Sequence, residues 1–412
     1  MAEFFTTRTV AEALAGFRPG RRTGPETVPL AEALRRVPAA PVTAPHPLPG
    51  FARSTVDGYA VRAADTYGAS EGLPGYLDVT GAVRMGAAPD VTVTPGSAVA
   101  MPTGGAIPDG ADAVVMIEYT AETLPGTGDG AGTIEVVRPV APGDGIVRAD
   151  EDVAAGSVLV PAGRPLRPQD LGMLAAAGVT SVTVHRKPVV TIFSTGDEVV
   201  PPDTAGLRPG QVRDATASAL AALIADAGGA PVYAGIVSDD PGTLEKELRQ
   251  ALPSSDMVVI SAGSSVGTRD ETASAVASLG PPGIWCHGLA VKPGKPTLLA
   301  ECSDVPVIGL PGNPRSALVV FRLVGMAVVR QVGGCVSAPP EPSTRARLAR
   351  NLASAAGRLD VIQVKLDDGT AVPVFGLSAL LSVLTEADGY IVIGEEATGL
   401  DAGTEVEVFL YA

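Results

Sequence analysis

The chain has 412 residues, and 45 acidic against 30 basic side chains give it a formal net charge of −15 at neutral pH. This balance argues against nucleic acid or an anionic membrane as the main partner, because both attract basic surfaces. Hydrophobic residues make up 46% of the chain, and its 49 glycines and 37 prolines follow no collagen period. A disordered chain and a fibrous chain are therefore excluded.

Residues that bind metals through sulfur or nitrogen are few. The three cysteines include no CxxC spacing and the three histidines lie far apart in sequence, which argues against a disulfide framework or a zinc site. The first residues lack the apolar segment of a secretory signal. The two longest uncharged runs, 91–108 and 272–291, are interrupted by glycine and proline and do not resemble membrane spans. We therefore expect a protein of the reducing cytoplasm.

Two short amphipathic patterns at helical spacing occupy the first 50 residues or so, which predicts two helices. Their apolar positions are Val10, Leu14 and Phe17, then Leu30, Leu34 and Val37. A β module follows, because short β-branched runs are separated by glycine and proline turns. These runs are Leu77–Val79, Val91–Val93, Ala113–Ile117 and Ile134–Val137. Residues Pro165–Gly178 then form one helix-like segment.

The region from Pro188 to Gly333 alternates buried strands with helices, which predicts a parallel-dominated sheet with helices on both faces. The expected strands are Val189–Ser194, Val232–Val237, Met257–Ser261 and Val305–Leu310. Asp214 and Asp240-Pro241 are expected to start two helices, and an apolar helix is expected over Ser316–Val332.

The last 75 residues or so return to β character after a linker rich in proline and serine, Val336–Thr344. Strands are expected at Val361–Leu366, Val372–Phe375, Tyr390–Ile393 and Val406–Phe409, with one helix at Leu377–Ala387. The chain is thus predicted to be a multidomain α/β plus β protein. Its expected domains are a discontinuous helical and linker domain (1–50 and 141–187), a β module (51–140), an α/β domain (188–333) and a C-terminal β domain (334–412).

Polar loops follow the strands of the α/β domain, where ligands bind in open sheets of this kind. These loops are Thr195–Glu198, Ser238–Asp240, Gly263–Asp270 and Pro311–Pro314. Ordinary turn chemistry is the alternative for any single loop, but four at one edge favour a site. Glycine-rich loops offer backbone N–H groups to an anion, and Glu198, Asp239 and Asp270 are suited to Mg²⁺. The mixture suggests a phosphate bound with its metal.

One basic element lies between the last two expected strands, in Lys292-Pro-Gly-Lys295-Pro. It could be a solvated turn, but beside anion-type loops a phosphate or oxyanion contact is the better interpretation. We found no Ser-His-Asp arrangement and no histidine placed as a general base. If the chain is an enzyme, metal and positioned charge carry its reaction.

Several blocks of the chain match the motifs of one known family almost end to end. The first is Ser54-Thr-Val-Asp57-Gly-Tyr-Ala60, which resembles an S-x-x-D-G-Y-A signature. The others follow in the family's order: Pro102–Gly105, Gly110–Val115, Thr195–Glu198, Ser264–Gly267 with Asp270, Lys292–Pro296 and Leu310–Pro314. Together they resemble the molybdopterin molybdenumtransferases (the MoeA and gephyrin E-domain type). The resemblance implies a four-domain enzyme whose α/β domain binds molybdopterin.

The implied reaction is the Mg²⁺-dependent insertion of molybdate into adenylylated molybdopterin with release of AMP, the final step of molybdenum cofactor biosynthesis. The resemblance also implies a homodimer whose active site forms between the α/β domain of one chain and the β module of the other. A molybdopterin adenylyltransferase and recipient molybdoenzymes are possible further partners. The pterin itself supplies the dithiolene ligand, so the protein needs no cysteine for metal insertion.

Site residues carry over from the matched motifs. Catalytic roles are implied for Asp57 and Thr103, which come from the second chain, and for Glu198 and Asp270. Glu198, Asp239 and Asp270 are the implied metal ligands. The residues implied to bind the pterin, the adenylate or the molybdate are Asp239, Gly263, Ser264, Ser265, Gly267, Lys292, Lys295, Pro311, Asn313, Arg358 and Ser382.

The chain departs from the family pattern at a few positions. Gly288 stands where a lysine is common, Thr216 where an asparagine is common, and Arg315 where a small apolar residue is usual. Arg315 is a candidate to replace the missing charge. Two alternative functions are a molybdopterin-binding scaffold and an adenylyltransferase-related protein without insertion activity. The retained carboxylates and the complete flanking β domains favour the transferase.

Overall fold

A computed structural model describes residues 7–124, 132–261 and 266–411, with only the backbone described for Leu124 and Val266–Asp270. The chain forms two compact units. The larger comprises Met1–Ala40, Pro161–Arg167 and Ser181–Ala412, and the smaller comprises Pro41–Val160 and Pro168–Thr180. The finer division into four domains stays a prediction.

The smaller unit is built on a six-stranded sheet, as the β-branched runs predicted. In sheet order its strands are Ala113–Met116, Gly58–Val61, Ser97–Met101, Gly75–Ala82, Gly132–Val136 and Thr120–Leu124. A Cβ atom at Gly58 would lie 1.8 Å from the carbonyl oxygen of Val115, so only glycine allows this close approach of two strands. The expected strand at Val91–Val93 is wrong, because this segment is a loop whose Val93 is buried in a core cluster.

Short pairings and one helix complete the smaller unit. Ile146–Val147 pairs with Arg53–Ser54, and Val158–Val160 pairs with Val42–Thr43. The helix-like segment after residue 165 is a helix at Pro168–Ala176. Short 3₁₀ turns lie at Ala63–Thr66 and Ile117–Tyr119.

The larger unit begins with the first of the two expected N-terminal helices. Val10–Gly16 is helical, and Thr9 and Glu12 form a capping box that satisfies its first N–H groups. The second expected helix is wrong: Pro25–Pro29 is a strand paired with Ser181–His185, followed by a single 3₁₀ turn at Leu30–Glu32. Pairing with a strand about 150 residues later in the chain outweighs the local helical spacing of the apolar residues here.

The centre of the larger unit is a six-stranded sheet, and its strands in order are Ala230–Val237, Val189–Thr195, Met257–Ser261, Val305–Leu310, Leu298–Cys302 and Pro282–His287. The first four are parallel, as predicted, and the last two are antiparallel, which the sequence did not indicate. Register pairs Thr195 with Val237 and Ser261 with Leu310. The loops after these four strands therefore leave the sheet at one edge.

Helices cover both faces of this sheet and bury two apolar clusters against it. They are Thr216–Asp226, Thr243–Ala251, Val266–Ala277 and a continuous helical run over 314–332. That run is α-helical at Pro314–Val320 and Met326–Val332 with a π turn at Phe321–Gly325 between them. None of the described helices is long and apolar enough to cross a bilayer.

The C-terminal part of the larger unit is a small closed sheet. Its strands in order are Val291–Lys292, Leu359–Asp367, Thr370–Pro373, Ser343–Leu348, Glu405–Leu410 and Gly389–Ile393, and the last pairs back onto Leu359–Asp367. Short pairs elsewhere in the unit are Leu352–Ala353 with Gly399–Leu400 and Val199–Val200 with Val212–Arg213.

Two expectations for the C-terminal part need correction. The helix expected at Leu377–Ala387 covers only Ser382–Glu386, because the preceding residues form a loop. The expected linker ends in a strand at Ser343, and its Glu341 accepts hydrogen bonds from Arg322 (2.9 Å) and Tyr390 (2.8 Å).

Candidate functional site

Two acidic loops at the carboxyl edge of the parallel strands are tied to each other. The backbone N–H of Asp239 donates to Oδ1 of Asp197 at 3.1 Å, and the N–H of Asp197 donates to Oδ2 of Asp239 at 3.4 Å. Gly196, directly before Asp197, has φ of +130°, and a Cβ atom there would lie 2.5 Å from Oε2 of Glu198. The glycine thus lets the Glu198 carboxylate fold back over the loop.

These loops concentrate negative charge. Burial raises the pKa of the Asp239 carboxyl, and the charges of Asp197, Glu198 and Asp240 raise it further against the hydrogen bond from the Asp197 N–H. Crowded carboxylate oxygens of this kind match a hard divalent cation such as Mg²⁺. Within the described residues no three His, Cys, Asp or Glu side chains converge as metal ligands. The carboxylates present could supply part of the shell of a magnesium ion, with water and substrate oxygens supplying the rest.

A cavity of about 220 Å³ opens beside these loops. Its walls combine the ends of two strands with two helices, and the lining residues are Thr195, Ser238, Asp239, Asp240, Gly242, Leu244, Glu245, Glu271, Thr272, Ser274 and Ala275. Sequence reasoning missed Glu271 and Ser274. Their spacing of three on a helix, directly after Asp270, places them on one face and was the available signal.

Part of the predicted site cannot be placed. Gly263, Ser264 and Ser265 lie outside the described residues. Gly267 and Asp270 belong to the helix Val266–Ala277, but only their backbone is described. The expected convergence of Asp270 with Glu198 and Asp239 stays a prediction.

The basic element at Lys292–Pro296, called the lysine turn below, is held tightly while both lysine side chains stay exposed. The carbonyl of Lys295 accepts hydrogen bonds from the N–H groups of Leu289 and Thr297, each at 2.9 Å. Gly294 has φ of +128°, and a Cβ atom there would lie 2.2 Å from a methyl group of Val320. The turn therefore packs against the helix that follows Pro314, and its cations face outward.

Lys292 and Arg358 meet at one buried carboxylate, Asp360. The strand Val291–Lys292 pairs in parallel with the start of Leu359–Asp367, so that Lys292 lies opposite Asp360. Nε of Arg358 donates to Oδ1 of Asp360 at 2.8 Å, and Nζ of Lys292 lies 4.0 Å from Oδ2. Sequence reasoning assigned no role to Asp360. Its position two residues after Arg358, on the same side of an extended segment, was the available signal.

The loop after the last parallel strand reaches the C-terminal part through Arg315. Arg315 is buried, its Nη1 donates to the carbonyl of Gly376 at 2.7 Å, and its N–H donates to the carbonyl of Ser378 at 3.3 Å. Burial lowers the pKa of its guanidinium. These contacts fasten the loop that precedes Ser382, whose side chain is exposed at the start of a short helix. Asn313 makes no capping bond with its side chain.

In the smaller unit the structure brings Asp57 and Thr103 together. The N–H of Thr103 donates to Oδ1 of Asp57 at 2.8 Å, and both residues are exposed. Two departures from the family pattern also have local reasons. Gly288 has φ of +121°, where glycine is favoured over lysine, and Thr216 is buried at the start of a helix.

Comparisons with known proteins cover nearly the whole chain. Three family models match: the MoeA N-terminal region (domains I and II) at residues 8–178, the probable molybdopterin-binding domain at 191–331, and the MoeA C-terminal region (domain IV) at 345–411. Molybdopterin molybdenumtransferase 2 of Mycobacterium tuberculosis is 33% identical over 410 residues, covering 98% of this chain and 97% of that protein.

Further relatives extend the likeness to other organisms and to solved structures. The molybdopterin molybdenumtransferase of Bacillus subtilis is 33% identical over 398 residues, with 93% of this chain and 89% of that protein covered. A crystal structure of a molybdopterin biosynthesis MoeA protein from Pyrococcus horikoshii matches with a TM-score of 0.83 and 32% identity, covering 98% of this chain and all of that one. With sequence, fold and conserved order of motifs in agreement, the chain belongs to the MoeA family of molybdopterin molybdenumtransferases.

Proposed function

We propose that this chain is a molybdopterin molybdenumtransferase that inserts molybdate into adenylylated molybdopterin and releases AMP in the presence of Mg²⁺, the final step of molybdenum cofactor biosynthesis. The observation that carries the proposal is the meeting of Lys292 and Arg358 at Asp360. Molybdate and the phosphate of the substrate are anions and require cationic and N–H donors. This pair of cations, in a chain with a net charge of −15, supplies them.

In this proposal the acidic loops bind the metal, and the lysine turn binds oxyanions. Glu198, Asp239 and Asp270 would hold Mg²⁺, which when bound neutralises charge on the phosphoanhydride. Lys292, Lys295, Arg358 and Ser382 bind the two oxyanions of the reaction, the phosphate of the substrate and molybdate. Gly263, Ser264, Ser265 and Gly267 offer N–H and O–H donors to the pterin phosphate, and Pro311 and Asn313 contribute to the binding of the same substrate.

The proposal includes a homodimer in which Asp57 and Thr103 of one chain complete the site of the other. It also places the protein in the cytoplasm, with no nucleic acid and no membrane as partner. A molybdopterin adenylyltransferase would supply the substrate, and recipient molybdoenzymes would accept the product. Magnesium as the physiological metal belongs to the same proposal.

A scaffold that binds molybdopterin without inserting metal is the main competing function, and an adenylyltransferase-related protein is the other. The full-length likeness to transferases on both sides of the molybdopterin-binding region argues against the second. The raised pKa of Asp239 argues against the first, because crowding carboxylates is costly and useful mainly where a cation binds.

Purified protein supplied with adenylylated molybdopterin, Mg²⁺ and molybdate tests the proposal. AMP release and metal-loaded pterin are measured together, and both are expected to rise in equal amounts. Omission of molybdate serves as the control for simple hydrolysis. AMP release without metal loading, or no reaction at all, would contradict the proposed function.

A further inference from the structure

The most unusual buried group of the larger unit is the Asp360 carboxylate. It is 1% exposed, in a strand of the closed C-terminal sheet. Oδ1 accepts a hydrogen bond from Arg358, whereas Oδ2 has no hydrogen-bond partner among the described residues. A buried carboxylate oxygen without such a partner is costly, which indicates a purpose other than stability.

The surroundings of Oδ2 indicate that purpose. Nζ of Lys292 lies 4.0 Å away, within ion-pair range but beyond hydrogen-bonding distance, so its three N–H donors are not used by Asp360. Arg358 contacts the carboxylate through Nε alone. Its Nη nitrogens have no recorded partner in the described part of the chain. The side chains of Lys292 and Arg358 remain 60% and 38% exposed.

The charges explain why one carboxylate serves both cations. Lys292 and Arg358 come from segments 66 positions apart and repel each other when they point at one ligand. Asp360 between them offsets one positive charge and leaves a net charge of +1 with free donors on both sides. Long flexible Lys and Arg side chains lose much rotamer freedom on binding, and an anchor that restricts them beforehand reduces that loss.

We propose that Asp360 is a positioning residue that holds Lys292 and Arg358 as a two-cation clamp for an oxyanion, without itself touching the substrate. The inference rests on the proposed function and deepens it. The oxyanion is either molybdate or the phosphate of adenylylated molybdopterin, which share the same chemistry, and the two substrates are distinguished by their separate KM values.

The test uses the full chain with Asp360→Ala and Asp360→Asn. In Asp360→Ala the KM for one oxyanion substrate is expected to rise about tenfold, the effect of a lost hydrogen bond to a charged group. The other KM should stay within about twofold. The substrate whose KM rises identifies the ligand. Asparagine keeps an acceptor for Arg358 but loses the charge, so Asp360→Asn should fall between Asp360→Ala and the unaltered chain. Asp360→Asn also tests the proposal if Asp360→Ala does not fold.

Combining Asp360→Ala with substitutions of the two cations distinguishes a positioning role of Asp360 from a merely structural one. If Asp360 acts through the two cations, Asp360→Ala should cost nothing further in KM when Lys292→Ala and Arg358→Ala are already present. Asp256→Asn is the matched control, because Asp256 is also a buried carboxylate held by two arginines, Arg21 and Arg186. This control should lower stability and leave both KM values unchanged.

Calorimetric titration with molybdate and with inorganic phosphate tests the clamp independently of turnover. Weaker binding of either anion in both Asp360 variants supports the proposal. Unchanged KM values and unchanged anion binding in a folded variant, or an equal loss in the background without Lys292 and Arg358, would overturn it. Absence of metal insertion by the unaltered chain would instead contradict the proposed function, and the calorimetric arm would still decide the role of Asp360.

Discussion

The backbone N–H of Thr103 donates to a carboxylate oxygen of Asp57 at 2.8 Å, which joins two loops of the smaller unit that lie 46 positions apart in sequence. Both side chains are exposed. The contact fixes the Asp57 carboxylate by one oxygen, and its other oxygen accepts no hydrogen bond from the described residues.

This arrangement permits a direct test of the shared active site. Asp57→Asn keeps the acceptor for the Thr103 N–H but removes the charge, and Glu198→Gln does the same at the sheet edge. Each variant alone should be inactive. If the two residues act across a dimer, mixing equal amounts of the variants after subunit exchange should restore about a quarter of the activity. The activity is measured as metal-loaded pterin after mixing.

The control for this mixing experiment is each variant incubated alone under the same exchange conditions. An active mixture requires that Asp57 and Glu198 belong to different chains of one site. A mixture that stays inactive, although mixed dimers are detected by mass spectrometry, would contradict the inter-subunit site.

Two of the three carboxylates of the proposed magnesium site, Glu198 and Asp270, should be essential for chemistry and dispensable for folding. Glu198→Gln and Asp270→Asn are expected to lower kcat for cofactor formation at least about a hundredfold, because several kcal/mol of charge stabilisation are lost. Unfolding curves and dimer content should match those of the unaltered chain. Normal turnover in either variant would show that these residues do not form the site.

Asp256 is expected to stabilise the fold rather than the reaction. Burial tends to raise the pKa of its carboxyl, but hydrogen bonds from Arg186, from the Val189 N–H and from Arg21 outweigh burial and leave the pKa below its ordinary value. We expect Asp256→Asn to lower the free energy of unfolding at neutral pH by about 2–3 kcal/mol. Urea denaturation measures this difference.

The same carboxylate makes stability depend on acidity in a known direction. Because folding lowers the pKa of the Asp256 carboxyl, the stabilisation that this carboxylate provides is complete above the ordinary aspartate pKa of about 4. It is lost as the pH falls through the lower pKa of the folded state. The difference between Asp256→Asn and the unaltered chain should therefore shrink below pH ~4. A difference that stays constant down to that range and below it would contradict the assignment.

Arg315 offers a contrast, since its buried guanidinium has no ion-pair partner in the described part of the chain and its Nε lacks a hydrogen bond. Arg315→Met should leave the free energy of unfolding unchanged or raise it by about 1 kcal/mol. The loop at 375–381 should become more sensitive to limited proteolysis, because Gly376 loses its donor. A loss above about 3 kcal/mol would show that the guanidinium has a strong partner.

Local patterns predicted the parallel strands well, because Val189–Thr195, Met257–Ser261 and Val305–Leu310 are continuous buried runs. Local patterns failed where pairing with a distant strand determines the local structure. The spacing of Leu30 and Leu34 is helical, yet Leu34 is exposed and Arg35 has φ of +63°, which ends any helix.

The same limit applies to the prediction of the candidate site from the sequence. The acidic loops were foreseen because strand ends gather at one edge, and the lysine turn was foreseen from its motif. Asp360 was not, since its meaning depends on the pairing of Lys292 with a strand that begins 67 residues later at Leu359. The spacing of Arg358 and Asp360 on one side of the strand is a local signal, but the register that places Lys292 opposite Asp360 is not.

The strand Val291–Lys292 belongs to the closed C-terminal sheet although the strands on either side of it in sequence, Pro282–His287 and Leu298–Cys302, belong to the central one. The C-terminal sheet is therefore not a separable module. A chain that ends before Ser343 would keep this strand without its partner, and a fragment that begins there would lack one strand of its sheet. We expect neither piece to keep this sheet intact on its own, so the lysine turn reaches Arg358 and Asp360 only within one continuous chain.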